Sequence, residues 1–102
     1  MSAYVIAEIR VHDVEAYKQY IELVPDLIRK HGGTYLVRGG APETLEGDWT
    51  PQRVVVLKFP DREAAKAFFD DHEYGPVKDI RRNASTAEIV LVDGIGDAGD
   101  AG

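Results

Sequence analysis

Arg38 is the side chain in this sequence that is best placed to do chemistry. It closes the run Thr34-Tyr-Leu-Val-Arg38 and is followed at once by Gly39 and Gly40. A guanidinium at a strand end beside glycine can grip a carboxylate through two parallel hydrogen bonds. The competing reading is an ion pair across strands at a subunit seam. Tyr35 sits three residues earlier on the same run, and Trp49, the only tryptophan, follows on a Gly- and Pro-rich stretch. An indole there serves as a lid over a ligand or as an anchor in a partner subunit. His72, in Asp70-Asp-His-Glu-Tyr74, is a residue type that moves protons or binds metals. Its acidic neighbours are consecutive rather than spaced by three or four, so a solvated helix end is the competing reading. His31 falls in the last turn of a helix, where the dipole favours a cation, and His12 beside Asp13 suits a helix cap. With no cysteine, thiolate chemistry and disulfides are excluded. Nucleophile elbow, phosphate loop, dinucleotide fingerprint and zinc cluster are all missing, so neither a metal nor a cofactor is expected.

The elements that position these groups follow from periodicity. Tyr4 to Val11 alternates as a strand, with Val5, Ala7, Ile9 and Val11 on one side. Asp13 caps a helix whose apolar residues recur at Val14, Tyr17, Ile21, Val24 and Leu27/Ile28. Pro25 removes a helical hydrogen bond at a cost of ~3 kcal/mol, which predicts a kink or break near Ile21 to Val24. Gly32 ends the helix, where a left-handed residue is needed. Thr34 to Arg38 is the second strand and Arg53 to Phe59 the third, joined by a long arm from Gly39 to Gln52. Pro60-Asp61 starts a second helix, Arg62 to about Asp71, with Ala64, Ala65, Phe68 and Phe69 facing inward. Gly75-Pro76 is read as a break before a short helical turn at Val77 to Arg82. Thr86 to Asp93 is the fourth strand.

Strand, helix, strand, strand, helix, strand is the ferredoxin-like βαββαβ order, an α+β fold with a four-stranded antiparallel sheet and its helices on one face. The helix face is expected to carry Val5, Ala7, Ile9, Tyr35, Val37, Val55, Leu57, Phe59, Ile89 and Leu91. The opposite face would carry Ile6, Leu36, Val54, Val56, Val90 and Val92 with Glu8, Arg10, Arg38, Lys58 and Glu88. A sheet with one wet face should alternate cleanly, yet these strands are apolar on both sides. A second copy of the chain is the simplest cover, which predicts a homodimer through the sheet face, with opposite charges pairing across strands near the seam.

Length allows one domain, placed at residues 1–95, followed by an acidic Gly/Ala/Asp tail at 96–102. The chain holds 18 acidic and 12 basic residues, and Asp93, Asp97 and Asp100 account for half of the excess. No basic stripe is present, which argues against a nucleic-acid partner. No apolar run approaches the ~20 residues of a membrane span. The N-terminal residues do not read as a secretory signal, so a cytoplasmic protein is expected.

Several motifs together carry a resemblance: Tyr-Leu-Val-Arg-Gly-Gly, Leu-Glu-Gly-Asp-Trp with Pro51 and Arg53, Val-Val-Val-Leu-Lys-Phe-Pro, and Glu-Tyr with Pro76 and Arg81. Over residues 3 to about 95 the chain resembles a bacterial family of small domains of unknown function in the dimeric alpha-beta barrel superfamily. That resemblance implies a ferredoxin-like homodimer and no established reaction. Relatives in the superfamily include cofactor-free antibiotic-biosynthesis monooxygenases, muconolactone isomerase, chlorite-dismutase-like haem proteins and stress-responsive barrel proteins. His72 departs from the family, which usually has a proline or another non-titrating residue before Glu-Tyr. Tyr74 and Arg81 carry over from the family pattern, and at the mouth of the space between helices and sheet they would bind an acidic or phenolic molecule or else tie down the chain after Gly75. The ligand-binding candidates are therefore Tyr35, Arg38, Trp49, His72, Tyr74 and Arg81. Two functions follow: a cofactor-independent isomerase or monooxygenase acting on a small carboxylate or phenol, and a non-catalytic ligand-binding or stress-linked dimer.

Overall fold

Seven elements follow one another in the computed structural model, which describes residues 1–95: β1 (Ala3–Val11), α1 (Val14–Lys30), β2 (Thr34–Gly39), β3 (Arg53–Phe59), α2 (Arg62–Asp70), α3 (Tyr74–Ala84) and β4 (Ser85–Asp93). The tail expected at 96–102 lies outside the described residues. The strands form one antiparallel sheet in the order β2-β3-β1-β4. This is the expected βαββαβ fold, with two helices rather than one in the second crossover.

The first helix begins where Asp13, in extended conformation, accepts a hydrogen bond from the Ala16 amide at 3.1 Å. It ends at Gly32 (φ +78°), whose amide donates to the Arg29 carbonyl at 3.0 Å. Between these points α1 runs through Pro25 as one helix, so of the expected kink or break there is no break. Packing explains this. Val24, Leu27 and Ile28 flank the proline and are buried, and at about 1.5–3 kcal/mol each their burial outweighs the ~3 kcal/mol cost of the proline.

A second difference concerns Gly75-Pro76. In place of a break and a short turn at Val77 to Arg82, α3 is an 11-residue helix that includes both residues. Pro76 falls in its first turn, where a backbone N–H has no helical acceptor to lose. Tyr74, at the start of α3, is 1% exposed and packs on Phe68 with ring centroids 4.5 Å apart. Phe68 in turn stacks on Phe59 at 5.6 Å, so α2, α3 and β3 share one aromatic core.

The third difference reassigns a functional residue. β2 and β3 pair as Tyr35 with Leu57, then Val37 with Val56 and Arg38 with Val55, so Leu36 is an extra residue in a β-bulge. A bulge shifts the alternation by one. Val37, expected under the helices, lies on the outer face, and Arg38, expected on the outer face, turns toward the helices.

The outer face holds exposed Leu36, Val37, Val90 and Val92 and half-buried Ile6, Val54 and Val56. The opposite-charge pairing expected there is not formed among the described residues. Glu8 lies across from Val54 and Glu88, and its ion partner is Arg10 of its own strand at 3.5 Å.

Candidate functional site

Between α1, α3 and the inner face of the sheet lies a cleft of about 50 Å³, room for one or two waters, whose polar lining is four tyrosines and three arginines. Tyr17 and Tyr20 come from α1, one turn apart. Tyr35 and Arg38 come from β2, Arg53 from β3, Tyr74 and Arg81 from α3. Among the described residues, no aspartate, glutamate or histidine lines it.

Each arginine is placed by a local feature. The Leu36 bulge turns Arg38 inward, and its guanidinium carbon lies 4.6 Å from the centroid of the Tyr35 ring, a favourable cation–π geometry. Arg53 starts β3 in phase with Val55, Leu57 and Phe59, so it faces the helices. It stands 5.5 Å from the Tyr17 ring centroid. Its Nη1 lies where a Cβ on Gly39 would come within 2.5 Å, so only glycine leaves that space free. Arg81 is 5% exposed at the C-terminal half of α3. The Nε atoms of both Arg53 and Arg81 are buried without a hydrogen-bond partner, and no carboxylate pairs with Arg38, Arg53 or Arg81 among the described residues. A buried cation normally has a partner, because desolvating it alone costs several kcal/mol.

Burial raises the pKa of Tyr17 and Tyr35 above the usual tyrosine value, with Arg53 opposing this at Tyr17 and Arg38 at Tyr35. Burial raises Tyr20 further, and the neighbouring Tyr74 adds to it. The Tyr20 and Tyr74 hydroxyls are hydrogen-bonded at 2.9 Å and join α1 to α3. Lys78, one turn after Tyr74, lies 3.9 Å from the Phe69 ring centroid with its pKa lowered by burial. The cleft thus offers positive charge and neutral O–H donors to an anion.

Of the six candidates read from sequence, the fold brings Tyr35, Arg38, Tyr74 and Arg81 together in this cleft. His72 lies in the α2–α3 connection and Trp49, 60% exposed, lies on the arm, with its carbonyl bonded to the Thr44 hydroxyl at 2.6 Å. Neither lines the cleft. The arm is tied to β1 where Arg10 donates to the Thr50 carbonyl at 2.9 Å and the Gln52 side chain accepts from the Val11 amide at 2.6 Å. His31 instead makes a fixed contact, Nε2 to the Asp71 carboxylate at 2.7 Å. Lys30 and the Glu73 amide reach the same carboxylate at 2.9 and 2.8 Å.

Sequence reasoning missed Tyr17, Tyr20 and Arg53. The signal for Arg53 was its parity with three core residues of one strand. The signal for the tyrosines was two phenols one turn apart on the buried stripe of α1.

Solved structures share this fold. A protein of unknown function from Rhodopseudomonas palustris superposes with TM-score 0.76 at 16% identity, covering 93% of this chain and 83% of its own. SnoaB, a cofactor-independent oxygenase from Streptomyces nogalater, gives TM-score 0.61 at 14% identity, covering 91% and 92%. HapK from Hahella chejuensis gives 0.63 at 17% identity, covering 98% and 99%. No curated protein matches the sequence. The family model described as "Domain of unknown function (DUF1330)" matches residues 2–95, and with nearly the whole described fold inside that match the chain belongs to this family and carries a ferredoxin-like fold.

Proposed function

We propose that the chain binds and transforms a small carboxylate or phenolic compound in the α1–α3 cleft without a cofactor, as a homodimer joined through the outer face of the sheet. The observation that carries this is the set of three guanidiniums, with no carboxylate partner among the described residues, in a cleft shared with four phenols. Such a lining attracts an anion and can stabilise negative charge that develops on it during proton transfer. The Tyr20–Tyr74 hydroxyl pair supplies a short donor chain for that proton. Likeness in fold to SnoaB, described as a cofactor-independent oxygenase, agrees with chemistry of this type, although fold alone does not select a reaction. The dimer is supported by the exposed apolar outer face, which no part of the described chain covers.

A second reading, a non-catalytic binding module, is favoured by one specific observation: among the described residues, no histidine, aspartate or glutamate lines the cleft to act as a base. One experiment separates the two. A panel of small carboxylates and phenols is incubated with the protein in D2O under air, following amide shifts of the protein, C–H exchange of the ligand and oxygen uptake. Ligand-dependent shifts in α1, α3 and β2 with exchange or oxygen uptake support the enzyme. The same shifts without turnover support the binding module. No shift with any member of the panel overturns both.

A further inference from the structure

The three cleft arginines differ in depth. Arg38 is exposed at the rim, Arg53 is half-buried, and Arg81 is 5% exposed. Arg38 has an aromatic partner at the rim in Tyr35. Arg53 has the Tyr17 ring beside it, and the Nε atoms of Arg53 and Arg81 are buried with no hydrogen-bond partner among the described residues. The positive charge therefore runs from the rim into the protein, where part of each inner guanidinium is left unbonded. Around it the cleft is apolar, walled by such residues as Val5, Ile9, Val24 and Ile28.

We infer that the inner end of the cleft is a carboxylate-binding subsite formed by Arg53 and Arg81, with Arg38 as the collecting group at the mouth, and that the ligand is a small carboxylic acid bound carboxylate first. This rests on the proposed anion-binding cleft and narrows it in two respects: which functional group goes inward, and which residues hold it. A carboxylic acid carries a full charge at neutral pH, whereas an ordinary phenol, with a pKa near ~10, does not. The buried guanidinium of Arg81 and the half-buried one of Arg53 call for the full charge. The planar fork of each guanidinium matches the two oxygens of a carboxylate. The cavity of about 50 Å³ accommodates a head group of that size and not a whole ring. The apolar body of the acid must then lie toward the mouth, against Tyr35 and Arg38, whose stacked faces suit a flat or conjugated group.

The subsite also explains Gly39. Its φ of +89° and the absence of a Cβ let the Arg53 head group fold against β2 instead of being pushed away. Gly39 is thus a positioning residue for the inner subsite.

The test uses the full chain and four probes of similar shape: benzoate, benzamide, phenol and phenyl phosphate, titrated against amide chemical shifts. Benzoate is expected to bind at least about tenfold more tightly than benzamide or phenol, the value of one or two charge-assisted hydrogen bonds. Arg81→Met and Arg53→Met each weaken benzoate by about 10–100-fold and leave benzamide within about threefold. Arg38→Gln lowers the association rate and its salt dependence more than it changes the dissociation rate. Equal affinity for benzoate and benzamide overturns the inference while the cleft survives as a binding site. Tighter binding of phenyl phosphate than of benzoate overturns it likewise. If none of the four probes moves cleft amides, the anion-binding cleft itself falls. The comparison among probes needs only the unmodified protein, so it decides the matter even if an arginine variant fails to fold.

Discussion

Replacing Arg81 by methionine should make the ligand-free protein more stable. Arg81 is 95% buried, its Nε has no partner, and no carboxylate lies within ion-pair distance among the described residues. Burial of an uncompensated ion carries a penalty of several kcal/mol, and replacement of buried ionic groups by apolar ones of similar volume has stabilised other proteins by about 1–4 kcal/mol. Methionine keeps the unbranched stem that packs between α3 and the sheet and removes only the charged fork. A gain of about 1–2 kcal/mol is expected, which for a domain of about 100 residues raises Tm by roughly 4–16 °C. The assay is calorimetry in a buffer free of carboxylates, with urea unfolding to show that the denaturant slope is unchanged. Arg81→Lys keeps the charge and should show no such gain. A fall in Tm of more than about 4 °C for Arg81→Met, with native circular dichroism, would refute the reasoning. Arg81 would then be a brace of the fold, and its burial would say nothing about a ligand.

Four further outcomes follow from the same geometry. Gly39→Ala forces a left-handed backbone and a Cβ 2.5 Å from Arg53 Nη1, so it should cost about 1–2 kcal/mol by urea denaturation and weaken benzoate more than phenol. Tyr20→Phe deletes the 2.9 Å hydroxyl contact with Tyr74 and should cost about 1 kcal/mol, with any proton exchange on a bound ligand slowed more than binding is weakened. The Asp71 carboxyl is held well below its usual pKa by hydrogen bonds from Lys30, His31 and the Glu73 amide, so its contribution is complete above the ordinary carboxylate pKa and is lost as the pH falls through the depressed one. Asp71→Asn should therefore be less stable than the parent at pH 7, with a gap in urea midpoint that narrows once the pH drops below about 4. Val90→Glu places a charge on the outer face, on edge strand β4 opposite Ile6, and should give a monomer by sedimentation while changing monomer stability by no more than about 0.5 kcal/mol.

Where periodicity decides, the fold was legible. The alternation of β1 and β3, the Asp13 cap and the Gly32 stop all emerge from residue type because each is a local event with one physical cause. The chain breaks expected at Pro25 and at Gly75-Pro76 did not occur, for a shared reason. A proline is a local penalty, and its outcome depends on what the flanking residues bury and on where in a helix it falls, which only the packed structure decides. The Leu36 bulge was invisible for a different reason. Thr34 to Arg38 alternates acceptably in either phase, so nothing within the strand reveals the extra residue until β3 imposes its own register. Arg53 was the recoverable omission, since a lone charge in phase with Val55, Leu57 and Phe59 is a buried-charge signature.

The bulge also links the two faces of the sheet. Without it, regular alternation would place Val37 under the helices and Arg38 on the outer face, and the cleft would lose the cation at its mouth while the interface gained an unpaired one. With it, Leu36 and Val37 both add apolar surface to the outer face, and Arg38 joins Arg53 and Arg81. A single extra residue on an edge strand therefore serves the proposed dimer and the proposed site at once. Deleting Leu36 tests this in one molecule. The deletion leaves Tyr35, Val37 and Arg38 opposite Leu57, Val56 and Val55 in a regular strand, so Arg38 should stay inward and benzoate association should match the parent, while loss of the exposed Leu36 side chain should weaken self-association. Were the deletion variant instead to lose benzoate in the manner of Arg38→Gln, pairing with β3 would not be what sets the position of Arg38.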